Sequence, residues 1–477
     1  MGALENKAKK GLLWSSIDKF STLLIQFSVG IVLARILAPE DFGLIGMITI
    51  FISISQCLVD SGFYTALVQK KNISHTDYST ILFFNMGVAL LLYVLLYSTA
   101  KYIALFYGEP LLTDLVKVVS LSVIILSTTV VHKAMMARQI DFRTQAIAHI
   151  TSSVISGSIG IYAAVNGHGV WALVYHSLSR SVLLALLYWM LNRWHPTLIF
   201  NKTSFRSLFS FGSKLMLSEL LKIFFRNLFL IIIGKLYKAE ELGFYTRASL
   251  FKQVPGTLVG NILQSVTFPL MVKVIDDTEK SKHVLVRSTK LTGFILLPVI
   301  LWLLFFAKPL ILVLLTQKWL PTVLLLQILC LDILFHPMQY INLNYLNAKG
   351  RSDLFLKLEM IKNALTVVAI VLTYKFGLTA MTFGYISVSC LSFFINSHYT
   401  GKDLKYGAFK QLADLSPYAV AACLAVIPSF FICFLIPSIA LRLVSGGVLC
   451  GIFYLGISHI MKFQELYEIK RIISKKL

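Results

Sequence analysis

The sequence predicts an all-α polytopic membrane protein: about fourteen transmembrane helices, two six-helix bundles in a pseudo-twofold repeat around a central cavity, and two further helices at the C-terminal end. Three observations predict it. Of 477 residues, 57% are hydrophobic and only 14% charged, against roughly a quarter in a soluble domain, and the mean hydropathy is +0.77. Apolar runs of about 20 residues, the length of one bilayer crossing, alternate with short connections along the chain. Finally, "RILAPEDFG" (Arg35–Gly43) matches "KLYKAEELG" (Lys235–Gly243) without a gap at an offset of 200 residues, and such repeats are the sequence trace of many transporters.

The first element is "MGALENKAKKGLLWSSIDKF" and the apolar run behind it, which continues to Leu37 with no small-residue cleavage site. It reads as a first helix and not as a removable signal. Asn6 stands where a myristoylation motif wants Ser or Thr, so lipidation is not indicated. Spans are expected to start near residues 12, 42, 79, 111, 145, 169, 210, 244, 288, 320, 355, 378, 414 and 439. Alternate connections hold about 28 basic residues against about 9 in the others, which puts both termini in the cytoplasm. The same bias explains the net charge of +22, whose Lys and Arg residues fall in short clusters rather than on a basic domain; no nucleic-acid partner is expected. No connection exceeds about 25 residues, so the chemistry is expected within the membrane.

Two weaker matches extend the repeat: "AKYIALF" from Ala100 with "AKPLILV" from Ala307, and "GVWALVY" from Gly169 with "GLTAMTFGY" from Gly377. Six spans separate each pair, an even number, so the halves share an orientation about an axis along the membrane normal. The expected division is 1–205 and 206–405 as the two six-helix bundles, with 406–477 as two added spans and a basic cytoplasmic tail.

The seventh span, "KLMLSELLKIFFRNLFLIIIG" (Lys214–Gly234), carries Glu219, Lys222 and Arg226. On the insertion scale three charges cost roughly 8 to 10 kcal/mol, while its Leu, Ile and Phe residues offset roughly 4 to 8. At about 1.5 Å per residue from Lys214, Arg226 lies near 18 Å depth in a core about 30 Å thick. The spacing i, i+3, i+7 puts all three on one face, which must meet protein or water rather than lipid. The first span carries a matching stripe of Ser15, Lys19, Thr22 and Gln26 with Asp18 beside it; the second has Thr49, Ser53, Gln56 and Asp60; the eighth has Ser249 and Gln253 with Lys252 adjacent. These faces are expected to line a hydrated cationic cavity, with Lys19, Lys222, Arg226, Lys252 and Arg180 as the substrate-binding cations. Asp18, Glu219 and Asp60 are assigned to cation coupling or charge balance. The bland alternative, equally open for Asn85 and Arg180, is that these groups bond to neighbouring helices. Glu359 with Lys362 reads as a pair near a helix end, and Asp332 with His336 is a weak signal for a proton relay.

Catalytic signatures are missing. The chain has no G-x-x-x-x-G-K-[ST], H-E-x-x-H or G-x-S-x-G, and its six cysteines (Cys57, Cys330, Cys390, Cys423, Cys433, Cys450) are scattered without a C-x-x-C. No enzyme, metal or cofactor is expected; a coupling H+ or Na+ is left open. Glu40/Asp41 and Glu240/Glu241 sit where acids suit a helix start, so capping explains them better than catalysis. Pro255, Pro269, Pro298, Pro337 and Pro428 inside spans imply kinks.

The segments "ARILAPEDFGLIGM" (Ala34–Met47), "DSGFYTALV" (Asp60–Val68), "ELGFYTRA" (Glu241–Ala248) and "NAKGRSDLF" (Asn347–Phe355) resemble polysaccharide flippases of the multidrug/oligosaccharidyl-lipid/polysaccharide exporter superfamily, nearest to the O-antigen and colanic-acid type. The resemblance covers essentially the whole chain. It implies a multi-pass bacterial inner-membrane protein that moves an undecaprenyl-diphosphate-linked oligosaccharide to the outer leaflet by alternating access, beside the polysaccharide polymerase and export machinery. A basic, hydrated cavity fits a diphosphate and a sugar chain. The competing readings are a cation-coupled drug antiporter, which would want an acidic cavity, and a membrane-embedded enzyme acting on lipid-linked glycans.

Overall fold

The computed structural model describes residues 2–60 and 62–474. Ser61 and the last lysines of the basic tail, Lys475 and Lys476, lie outside the described residues. The chain is all-α: no strand occurs among the described residues. In order the helices are α1 (Gly2–Ile36), α2 (Pro39–Asp60), α3 (Phe63–Gln69), α4 (His75–Tyr107), α5 (Leu112–Val119), α6 (Leu121–Ser127), α7 (Val130–Arg138), α8 (Phe142–Val165), α9 (Trp171–Asn192), α10 (Lys202–Leu236), α11 (Ala239–Val274), α12 (Thr278–Leu314), α13 (Pro321–Ala348), α14 (Ser352–Thr373), α15 (Gly377–Leu404), α16 (Ala408–Phe434), α17 (Ile439–Ile460) and α18 (Gln464–Ser474). Ten stretches among the described residues are long and apolar enough to cross a membrane, one of them spanning both α14 and α15. Helices α10 and α11 are 35 and 36 residues long but are not among the ten; α10 keeps Glu219, Lys222 and Arg226 within one membrane length.

Helix starts follow local chemistry. Ser74 and Asp77 form a reciprocal capping box on α4, with Ser74 N–H to Asp77 Oδ2 at 2.8 Å and Asp77 N–H to Ser74 Oγ at 3.2 Å. Asp141, Asn201 and Asp277 cap α8, α10 and α12 through their side chains. At α2 the Asp41 carboxylate accepts the Ala38 N–H at 2.9 Å, the capping role that its position suggested. Pro255, Pro269, Pro298, Pro337 and Pro428 all lie inside long helices.

The chain forms two compact units, residues 1–243 and 244–477. In the first, α1 packs on α8, α8 on α9, α4 on α5 and α6, and α10 on α2, α3 and α4. Thus α10, most of which lies past the expected boundary at 205/206, packs with the first unit. Its C-terminal end and the first residues of α11 come close to the start of α2. A β-carbon at Gly43 would run into the Ala239 carbonyl, and one at Gly243 into the Pro39 carbonyl, so the two matching segments meet backbone to backbone. In the second unit α12 packs on α13, α16 and α17, α13 on α15, and α14 on α15.

Two spans of the first unit are broken. One break follows Asp60, where Gly62 takes φ +67° and lies so close to the Gly212 backbone of α10 that a side chain would not fit. The other divides the span expected from residue 111 into α5, α6 and α7. There Ser120, Ser127, Thr128 and Thr129 all turn their hydroxyls onto carbonyls three residues back, at 2.7 to 3.0 Å. The backbone bonds at Val123, Thr128 and Thr129 are likewise of the i to i−3 kind, and such local competition bends a helix.

Candidate functional site

Both broken spans border cavities inside the first unit, each lined by apolar and polar side chains together. The larger, about 550 Å³, lies between α2, α3 and α10. It brings together Ser53, Gln56 and Asp60 of α2 with Glu219, Lys222 and Arg226 of α10, so the stripes read from the second and seventh spans do face one enclosure. Lys222 reaches Glu219 at 3.4 Å, with side chains 66% and 51% exposed; a pair this open contributes little. Arg226 is exposed and makes no hydrogen bond or ion pair among the described residues. Cys57, which sequence reasoning took for packing, also lines this cavity.

The remaining predicted residues lie elsewhere. On α1, Asp18 faces α8: its carboxylate is 2.9 Å from His149 Nδ1 and accepts the Thr22 hydroxyl at 3.3 Å. Gln26, with its amide oriented to suit its neighbours, accepts from both amino groups of Arg180 at 2.7 and 2.9 Å. Ser15 is half-buried, while Lys19 is exposed and unpaired among the described residues. Thr49 is exposed and bonds back to the Ile45 carbonyl at 2.8 Å. Asn85 is fully buried, with neither amide atom partnered among the described residues. In the second unit Lys252 pairs with Asp332 at 2.8 Å, and Gln253 is exposed. Lys362 and Glu359 do pair, at 3.1 Å.

The lining of the larger cavity therefore sets Lys222 and Arg226 against Asp60 and Glu219. Counted by sequence alone the cations were in excess; Lys252 is instead matched by Asp332 in its own unit, and Lys19 does not reach this lining. Of the two cations on this lining, Arg226 is the one without an ion pair among the described residues.

The smaller cavity, about 220 Å³, shares Gln56 and Asp60 with the larger and continues along the broken α6–α7 segment to Lys133, His149 and Tyr188. His149 is bonded at both ring nitrogens, to Asp18 and to the Tyr188 hydroxyl at 2.9 Å. Sequence reasoning missed His149, although Gln145, His149, Ser152 and Ser156 repeat the spacing that singled out the other stripes.

A family model described as "Polysaccharide biosynthesis protein" matches residues 32–324. The chain belongs to this family. Similar proteins of comparable length include the lipopolysaccharide biosynthesis protein WzxC of Escherichia coli, 26% identical over 404 residues that cover 82% of this chain and 81% of that one. The teichuronic acid biosynthesis protein TuaB of Bacillus subtilis is 26% identical over 359 residues, 74% of each chain. Among solved structures, the lipid II flippase MurJ in an inward closed conformation superposes with a TM-score of 0.75 at 15% identity, covering 94% of this chain and 98% of MurJ. At that identity the likeness is one of fold; with ten stretches long and apolar enough to cross a membrane, this family member is a multi-pass membrane protein.

Proposed function

We propose that this protein is a flippase that moves a prenyl-diphosphate-linked oligosaccharide across the bacterial inner membrane by alternating access, for the synthesis of a surface polysaccharide. The observation that carries the reading is the unpaired Arg226, beside Lys222, on a cavity wall where a membrane helix would otherwise be apolar. Arg226 and Lys222 hold the diphosphate, Lys19 attracts it from the exposed face of α1, and the prenyl tail stays in lipid. Asp18 and Glu219 balance this charge. Lys252, closed off by Asp332, is a structural cation. Family membership supports the polysaccharide context, and so do the printed roles of WzxC and TuaB. Both termini face the cytoplasm on the basic-loop count, the side from which the lipid-linked oligosaccharide is taken.

The protein is a carrier and not an enzyme on this reading: in liposomes it changes the leaflet of a lipid-linked glycan and leaves its length unaltered. The test is gene deletion, then complementation. Deletion should leave lipid-linked oligosaccharide in the cytoplasmic leaflet, the wild-type chain should restore the surface polymer, and Lys222→Ala with Arg226→Ala at equal membrane abundance should not. Full restoration by the double variant would remove the diphosphate assignment; unchanged surface polymer after deletion would remove the flippase reading.

A further inference from the structure

We infer that the smaller cavity of the first unit is a saccharide subsite, which selects the sugar bonded directly to the diphosphate. The inference rests on the flippase reading and adds to it the part of the molecule that reads the glycan.

The first ground is position. A sugar attached to a diphosphate begins one bond from the last phosphorus, so a pocket that reads it must adjoin the anion site. The two cavities share Gln56 and Asp60, one helical turn apart on α2, so a ligand whose phosphates rest against α10 reaches the smaller cavity past these two side chains.

The second ground is chemistry. The walls present an amide (Gln56), a carboxylate (Asp60), an ammonium (Lys133), an imidazole (His149) and a phenol (Tyr188). Donors and acceptors are mixed, and the charges of Asp60 and Lys133 offset. A metal cation entering here would meet the Lys133 ammonium, and a second phosphate would meet the Asp60 carboxylate. A neutral, hydroxyl-rich ring satisfies both, since each sugar hydroxyl donates once and accepts twice.

The third ground is an open valence. Asp60 Oδ1 is buried with no hydrogen-bond partner among the described residues, and a buried acceptor left so costs about 1–3 kcal/mol. A ligand hydroxyl supplies the missing donor. The walls opposite are fixed in place: His149 is held between Asp18 and Tyr188, and Lys133 sits 4.9 Å from the centre of the Tyr64 ring. Set against these fixed walls, the open valences of Asp60 and Lys133 discriminate hydroxyl positions, because a ligand lacking the matching hydroxyl leaves them unpaired.

The test uses the purified full-length protein and four probes: farnesyl diphosphate, and farnesyl diphosphate carrying glucose, galactose or N-acetylglucosamine. Affinity is measured for each, and the readout is the ratio of each sugar probe to the bare diphosphate. At least one sugar is expected to tighten binding tenfold or more in the wild type. Asp60→Asn and, separately, Lys133→Gln should bring that ratio to within about twofold of one. Equal affinity for all four probes overturns the subsite and leaves the flippase reading standing. A sugar preference that survives both substitutions also overturns it. If sodium ions alone stabilise the wild type against heat and Asp60→Asn abolishes the effect, the cavity is a cation site and the saccharide assignment is wrong. Binding of none of the probes overturns the flippase reading and the subsite together.

Discussion

Lys252 in the second unit and Lys222 in the first are both lysines on long helices beside a carboxylate, yet their surroundings differ in kind. Lys252 meets Asp332 at 2.8 Å, with the acid only 2% exposed; Ser389 donates to the other Asp332 oxygen, and the Tyr385 ring lies 5.6 Å away. Asn342 and Gln411 exchange amide bonds at 3.1 and 2.9 Å, and Thr400 donates to Asn342 at 2.7 Å. Lys222, by contrast, touches Glu219 loosely at 3.4 Å, and Arg226 one turn on has no such partner among the described residues. The difference teaches that a charge in a membrane helix is informative through its unsatisfied valence rather than its mere presence. Paired charge holds a bundle together; unpaired charge on a cavity wall is the ground on which the anion site is proposed.

The contrast breaks most sharply at Asp332. Asp332→Ala strands the buried Lys252 ammonium, which should cost about 3–5 kcal/mol. The loss would appear as a large drop in thermal unfolding temperature and in folded yield, and Lys252→Met with Asp332→Leu should recover most of it. A single variant as stable as the wild type would mean that the network is not closed. Next in size is Gly43→Val, which forces a side chain against the Ala239 backbone and should destabilise by about 1–3 kcal/mol; the check is resistance to denaturant in detergent. Lys222→Ala with Arg226→Ala should reverse the pattern, shifting stability by no more than about 0.5 kcal/mol while transport is lost, as followed by surface polymer. If stability falls as far as in Asp332→Ala, these cations are structural. Smallest is Glu219→Gln, which removes an exposed partner and should change stability by about 0–1 kcal/mol; loss of folded protein on this change would show that the Lys222 pair matters more than its geometry indicates.

Much of this was legible in the sequence, for identifiable reasons. Helix starts read near 42, 79 and 145 fall at 39, 75 and 142, because caps and hydropathy act locally. The α10 stripe was legible because a period of 3.6 fixes which residues share a face. The face that α1 turns inward was not, since that depends on which helix packs beside it; α8 brings His149 to Asp18 across 131 positions of chain. The pairing of Lys252 was not legible for the same reason, its partner being 80 residues away. The break of the fourth span was missed because Ser and Thr are ordinary in membrane helices, and only their joint turn onto i−3 carbonyls bends the backbone.

The close approach of Gly43 and Gly243 carries a consequence for inheritance. Each glycine is held to zero side chain by the backbone of the other segment, so neither copy of the motif is free to drift alone. A gene that arose by copying one half would be expected to keep its two glycines in step long after the surrounding words had diverged, and a selection for suppressors of Gly43→Ala should return its compensating changes around residues 239–243.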